Sequence, residues 1–96
     1  MSSVLDQFFM LSDAVFMAVR EGGVPSNDAI ESLLSALDEL AKEYGSQNSL
    51  PKDLVGVMLD MSTALYSAAA AQAEPVRTTL YEQFDVITDK MRDLCS

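Results

Sequence analysis

Residues 53–73 read DLVGVMLDMSTALYSAAAAQA, and the reading of this stretch decides the fold. Between Lys52 and Glu74 the only charges are Asp53 and Asp60. A helix that is apolar or small nearly all the way round is normally buried on several sides. The segment is therefore expected to be the hub of an all-α bundle, or the place where a partner docks. A helix from about Pro51 to Ala71 accounts for its spacing. Leu54, Val57, Met58, Met61, Leu65 and Ala68 make the main stripe, and Val55, Leu59 and Tyr66 a second one. Gly56, Asp60, Thr63, Ser67 and Ala70 line the remaining face, whose small side chains would let another helix approach closely. Past its first turn, Asp60 is the one charge in this helix. Charged side chains are rarely buried without partners, so it is expected at a wet edge of the bundle, the alternative being a paired charge or an anchor for a partner's cation.

Outward from this segment the chain is punctuated into three more helices. The first is expected over about Ser3–Arg20, capped by Ser3. Leu5, Phe8, Phe9, Ser12, Val15, Phe16 and Val19 follow the three-four spacing of a buried face, and Gly22-Gly23 supplies a C-terminal stop. The second follows Val24-Pro25-Ser26 and runs to Tyr44, with Ser26 or Asn27 as cap. Ile30, Leu33, Leu34, Leu37, Leu40, Ala41 and Tyr44 are its core stripe, and Asp38 and Lys42 are spaced to pair on its outer side. The last runs from near Pro75 to about Leu94, with Val76, Leu80, Phe84, Ile87, Met91 and Leu94 inward and Thr78, Glu82, Asp85, Asp89 and Asp93 on an outer ridge. No segment alternates with period two over a useful length, so no sheet is expected. The predicted fold is all-α, a four-helix up-down-up-down bundle in one domain over residues 1–96. No glycine separates the last two helices, and one long helix kinked at Pro75 is the alternative.

Charge and composition exclude several functions. Fifteen acidic residues against six basic ones give a net charge of −9, which argues against a nucleic-acid backbone or an anionic membrane surface as partner and favours basic protein surfaces. The single cysteine, Cys95, cannot form an internal disulfide. A reducing, cytoplasmic setting is the expectation. The stretch MSSVLDQFFML has no basic residue ahead of its apolar run and is interrupted by Asp6, unlike a secretory signal. Asp60, Ser62, Thr63, Ser67 and Gln72 argue against a membrane span over 54–73.

The residues of catalysis are missing. The chain has no histidine, which removes Ser-His-Asp and Cys-His arrangements and the Glu-x-x-His metal pair of some bundles. No glycine-rich phosphate loop is present. Glu39 and Glu43, and Asp85, Asp89 and Asp93, recur one turn apart. On a straight helix such rows point to solvent and lack converging carbonyls, so no metal or cofactor site is expected.

What remains is surface. Met10 and Met17 lie on the first helix beside Asp6 and Asp13, away from its Phe8/Phe16 face, and methionine suits an adaptable binding surface. The expected function is a non-enzymatic acidic interaction module, inhibitor- or adaptor-like, that binds a basic protein surface with Met10, Asp13, Met17 and Asp60 as contacts. Two alternatives are a structural homodimer through the first and third helices, and a carrier of a small apolar ligand held by Phe8, Phe16, Met58 and Met61.

Overall fold

Serine hydroxyls start the first two helices. Ser3 Oγ accepts from the backbone N–H of Asp6, and Ser26 Oγ from that of Ala29, each at 3.1 Å, so each satisfies a donor with no partner in the first turn. The computed structural model describes residues 3–45 and 49–95, Cys95 without its side chain. Its helices are α1 (Val4–Arg20), α2 (Asn27–Tyr44), α3 (Lys52–Ala70) and α4 (Val76–Cys95). Among the described residues there is no strand. The thiol of Cys95 and residues 46–48 of the loop before α3 lie outside this description.

The stop after α1 is complete. Gly22 takes φ +83°, its N–H reaches Val19 O, and the N–H of Gly23 reaches Ala18 O, both at 3.0 Å. These are the two bonds of a Schellman motif. Gly45 closes α2 differently, remaining right-handed at φ −62°. The α3–α4 boundary is a turn, not a kink: α3 ends at Ala70, α4 begins at Val76, and the two helices pack on each other. The start of α4 is capped by a residue that lies ahead of the helix. Glu74 accepts from the N–H of Thr78 at 2.8 Å and also from the Thr78 hydroxyl.

The order of neighbours differs from that of an up-down-up-down bundle in which every consecutive pair of helices packs together. α1 packs on α2 and α3, and α4 packs on α2 and α3, while among the described residues the backbones of the consecutive pair α2 and α3 do not approach each other. They occupy opposite corners, joined by residues 45–51. Gln83 of α4 donates to Pro25 O beside the start of α2, and Lys90 pairs with Asp38 farther along both helices, so α2 and α4 run in the same direction. Against α3, α4 runs the other way: Tyr66 meets Asp85 and Thr88, while Val55 and Leu59 line a cleft with Met91 and Arg92. The molecule is thus two helical hairpins, α1–α2 and α3–α4, laid side by side.

This order also corrects the expected place of α3. It has two neighbours like every other helix and is a corner, not a hub. Leu54, Met58, Met61, Leu65 and Ala69 are its buried residues. Gly56, Thr63, Ser67 and Ala70 face solvent. Of the second stripe, Val55 and Tyr66 are half-buried, whereas Leu59 is 67% exposed. The core gathers Phe8, Val15 and Val19 from α1, Ile30, Leu33, Ala36, Leu37 and Leu40 from α2, and Leu80, Phe84, Ile87, Met91 and Leu94 from α4. Ala41, expected in the core stripe, is exposed, and Ala36, on the side of α2 that meets α1, is buried instead. The expected Asp38–Lys42 pair is not formed. Asp38 pairs across to Lys90 at 2.7 Å, and Lys42 turns to Glu39 at 3.4 Å.

Candidate functional site

Two stripes on α1 share one spacing. Phe8, Ser12, Val15 and Val19 step four, three, four and are buried. Asp6, Met10, Asp13 and Met17 step in the same way, two residues earlier, and therefore project from the opposite side, where all four are exposed. Met10 is 69% and Met17 51% exposed, large values for side chains that gain free energy by leaving water.

On one flank of this ridge is the contact with α3. Ser12, Asp13, Phe16, Val57, Asp60 and Met61 line a cleft of about 200 Å³. The fold thus brings Asp13 and Asp60 together, which lie 47 positions apart in the sequence. Phe16 and Val57 are half-buried and Met61 is buried, so two exposed carboxylates rim an apolar floor. Ser12, 5% exposed, is satisfied internally, donating to Phe8 O at 2.7 Å. Asp60 is exposed, and its carboxylate has no hydrogen bond or ion pair among the described residues. It is the wet-edge charge the sequence reading favoured.

On the other flank α1 meets α2 along a larger groove of about 620 Å³, bounded by Gln7, Met10 and Leu11 of α1 and by Asp28, Glu31, Ser32, Ser35, Ala36 and Glu39 of α2. The small side chains of Ser32, Ser35 and Ala36 leave the trough open. Apart from Met10, none of these residues is among the contacts read from the sequence. The signal was present: Asp28, Ser32, Ser35 and Glu39 recur at helical spacing beside the core stripe of α2, and read as an ordinary solvated face.

Charge is distributed unevenly over the molecule. Lys42 pairs with Glu39, Lys90 with Asp38, Arg77 with Glu74 and Arg92 with Asp89. These four cations all stand on α2 and α4. Among the described residues the carboxylates of Asp6, Asp13, Asp28, Glu31 and Asp60 meet no cation. Five cation-free carboxylates thus lie on α1 and its two flanks, with Arg20 at the end of α1, while Asp53 of α3 and Glu82 and Asp85 of α4 also meet no cation among the described residues. Met10 and Met17 stand within that field, and Met10 also forms a lip of the groove.

The rest of the chain offers less. Tyr66 donates to Asp85 Oδ1 at 2.6 Å, lies 3.2 Å from Thr88 Oγ1, and packs against the rings of Tyr81 and Phe84. Partial burial, and then the bond to Asp85, push its phenol above the usual value. These are features of an α3–α4 brace. Among the described residues no three side chains of Cys, Asp and Glu are placed to hold a metal ion, and no helix is long and apolar enough to cross a membrane. Phe16 and Met61 line the α1–α3 cleft, Met58 lines the α3–α4 cleft, and Phe8 is fully buried. Comparison with protein-family models, with curated proteins and with solved structures returned no match.

Proposed function

We propose that this protein is a non-enzymatic interaction module, inhibitor- or adaptor-like, whose partner is a basic protein surface. It binds with the outer ridge of α1 and its flanks, Met10, Asp13, Met17 and Asp60 among them, and it works in the cytoplasm, where Cys95 stays a thiol. The observation that supports this most directly is the collection of uncompensated carboxylates around two exposed methionines. Exposed carboxylates of one sign steer an oppositely charged partner and speed its encounter. Exposed methionines then supply apolar contact that adapts to the partner's shape. No catalytic task is assigned, since the chain lacks a histidine.

The test is site-specific photo-crosslinking in the native cell. A crosslinker in place of Met17 is expected to capture a basic protein that the same group at Leu59 does not. With that protein purified, Asp13→Lys with Asp60→Lys should weaken binding about tenfold or more. Identical capture from both positions, or unchanged affinity of the double variant, refutes the reading.

One observation favours a second reading, a two-fold homodimer through α3. Leu59 stands exposed beside the small-residue face of Gly56, Thr63, Ser67 and Ala70, which a second copy could approach closely. Light scattering of the wild type and Gly56→Ala decides between the two, since a face already packed on another helix tolerates an added methyl poorly. The apolar-carrier alternative has no comparable support, because its four residues are divided between the core and two clefts.

A further inference from the structure

We propose that the α1–α2 groove seats a basic amphipathic helix of the partner protein. This rests on the interaction reading above and narrows it to one trough and one kind of occupant. At the floor of the trough Ala36 is buried and Leu11 half-buried, the small exposed Ser32 and Ser35 lie beside them, and Met10 stands over them as an exposed lip. The outer wall is acidic at both ends. Asp28 and Glu39 stand at the two ends of the Asp28-Ser32-Ser35-Glu39 stripe of α2, 11 residues apart, a rise of about 16 Å or three helical turns, and Glu31 stands farther out, where it also lines a cleft with α4. A floor of apolar and small side chains beside a wall of that length with carboxylates at both ends matches a helix carrying apolar residues on one face and Lys or Arg along its border. That is how an amphipathic helix is held in a groove.

Charge selects among the possible occupants. A second copy of this chain is disfavoured, because it carries a net charge of −9 and, among the described residues, Lys42, Arg77, Lys90 and Arg92 already stand in ion pairs. A small apolar molecule gains nothing from the carboxylate wall. A basic helix does: Asp28 and Glu31 meet no cation among the described residues, and Glu39 holds only Lys42, in an exposed pair at 3.4 Å. Exposed pairs of this kind are weak and exchange readily, so Glu39 is available to an incoming cation.

The test uses the full chain with labelled methionine methyls and backbone amides, titrated with a Leu/Lys peptide of about five turns whose leucines recur at helical spacing. A peptide of identical composition in scrambled order is the control. Saturable shifts are expected at the Met10 methyl and the Leu11 and Ala36 amides, while the buried Met61 stays still. Glu31→Lys should weaken the patterned peptide about tenfold, and Ser35→Phe, an exposed change that fills the trough, should remove the shifts. Equal binding of the scrambled peptide would reduce the effect to bulk charge attraction and overturn the proposal. Shifts centred on Asp13, Met17 and Asp60 would overturn the groove and leave the α1 interaction reading standing. Shifts at Met10 on concentrating the protein alone would make a second copy the occupant and also overturn it. No shift at any residue up to millimolar peptide removes the groove, while photo-crosslinking from Met17 still decides the wider reading independently.

Discussion

The Tyr66 hydroxyl is the clearest case of one side chain holding two helices together. Its proton goes to Asp85, which leaves Thr88 as donor to the phenol oxygen. Replacing the hydroxyl removes both bonds without opening a cavity, since the ring and its stacking on Tyr81 remain. Tyr66→Phe is expected to cost about 1 kcal/mol in urea unfolding at neutral pH. The pH dependence has a definite sign. Burial and Asp85 hold the phenol above its ordinary value of 10.0, so at alkaline pH the folded chain keeps a proton that the unfolded chain has lost. The stabilisation is intact below about pH 10 and declines as pH rises through the folded value. Lys90, held above 10.5 first by its hydrogen bond to Asp38, falls away in the same window. Unfolding midpoints measured upward from neutral pH should therefore fall less steeply in Tyr66→Phe than in the wild type. An unchanged slope would mean that the hydroxyl is free in solution.

At the scale of the element, α3 carries the sharpest test. Gly56 sits in mid-helix with nothing within 4 Å of the position its Cβ would occupy. An exposed glycine there wastes backbone entropy, so Gly56→Ala should stabilise the chain by about 0.5–1 kcal/mol, read as a higher urea midpoint. If α3 instead meets a second copy in solution, the added methyl intrudes on the contact. The variant would then lose stability, and light scattering at tens of micromolar would show a dimer that dissociates more easily. Helix boundaries and inward faces were legible in the sequence because Ser3, Ser26 and Gly22 act within a few residues of themselves, and because the four-three period of α4 is a local pattern. The place of α3 was not. Its all-round apolar composition reads as centrality, but much of that composition is alanine, glycine and serine, which bury little area and can face water at little cost. Asp38 shows the same limit: helical spacing proposes Lys42, and only the packing of α4 on α2 brings Lys90 within reach.

For the whole molecule, the candidate site was half legible. Met10, Asp13 and Met17 could be read from the periodicity of α1 alone. The meeting of Asp13 with Asp60, and the trough between α1 and α2, depend on which hairpin lies against which, and no spacing rule encodes that. The consequence is an acidic surface on which more carboxylates stand without a cation than with one among the described residues, and salt should act on it in two opposed ways. Folding compresses fifteen acids and six bases into a body with a radius of gyration of 13.2 Å, so carboxylate repulsion opposes the folded state. The four ion pairs of Asp38, Glu39, Glu74 and Asp89 among the described residues are exposed and offset little of it. Sodium chloride shortens the screening length from about 30 Å at 0.01 M to about 10 Å at 0.1 M, and the thermal midpoint should rise over that range. The same screening weakens attraction to a basic partner, so the affinity of the patterned Leu/Lys peptide should fall as stability rises. Chloride is the anion to use, because sulfate would strengthen apolar burial by exclusion and raise the midpoint for a different reason. A midpoint that falls with added chloride would mean that the ion pairs of α2 and α4 outweigh the repulsion. The carboxylates around α1 would then cost the fold too little to count as charge held for a partner.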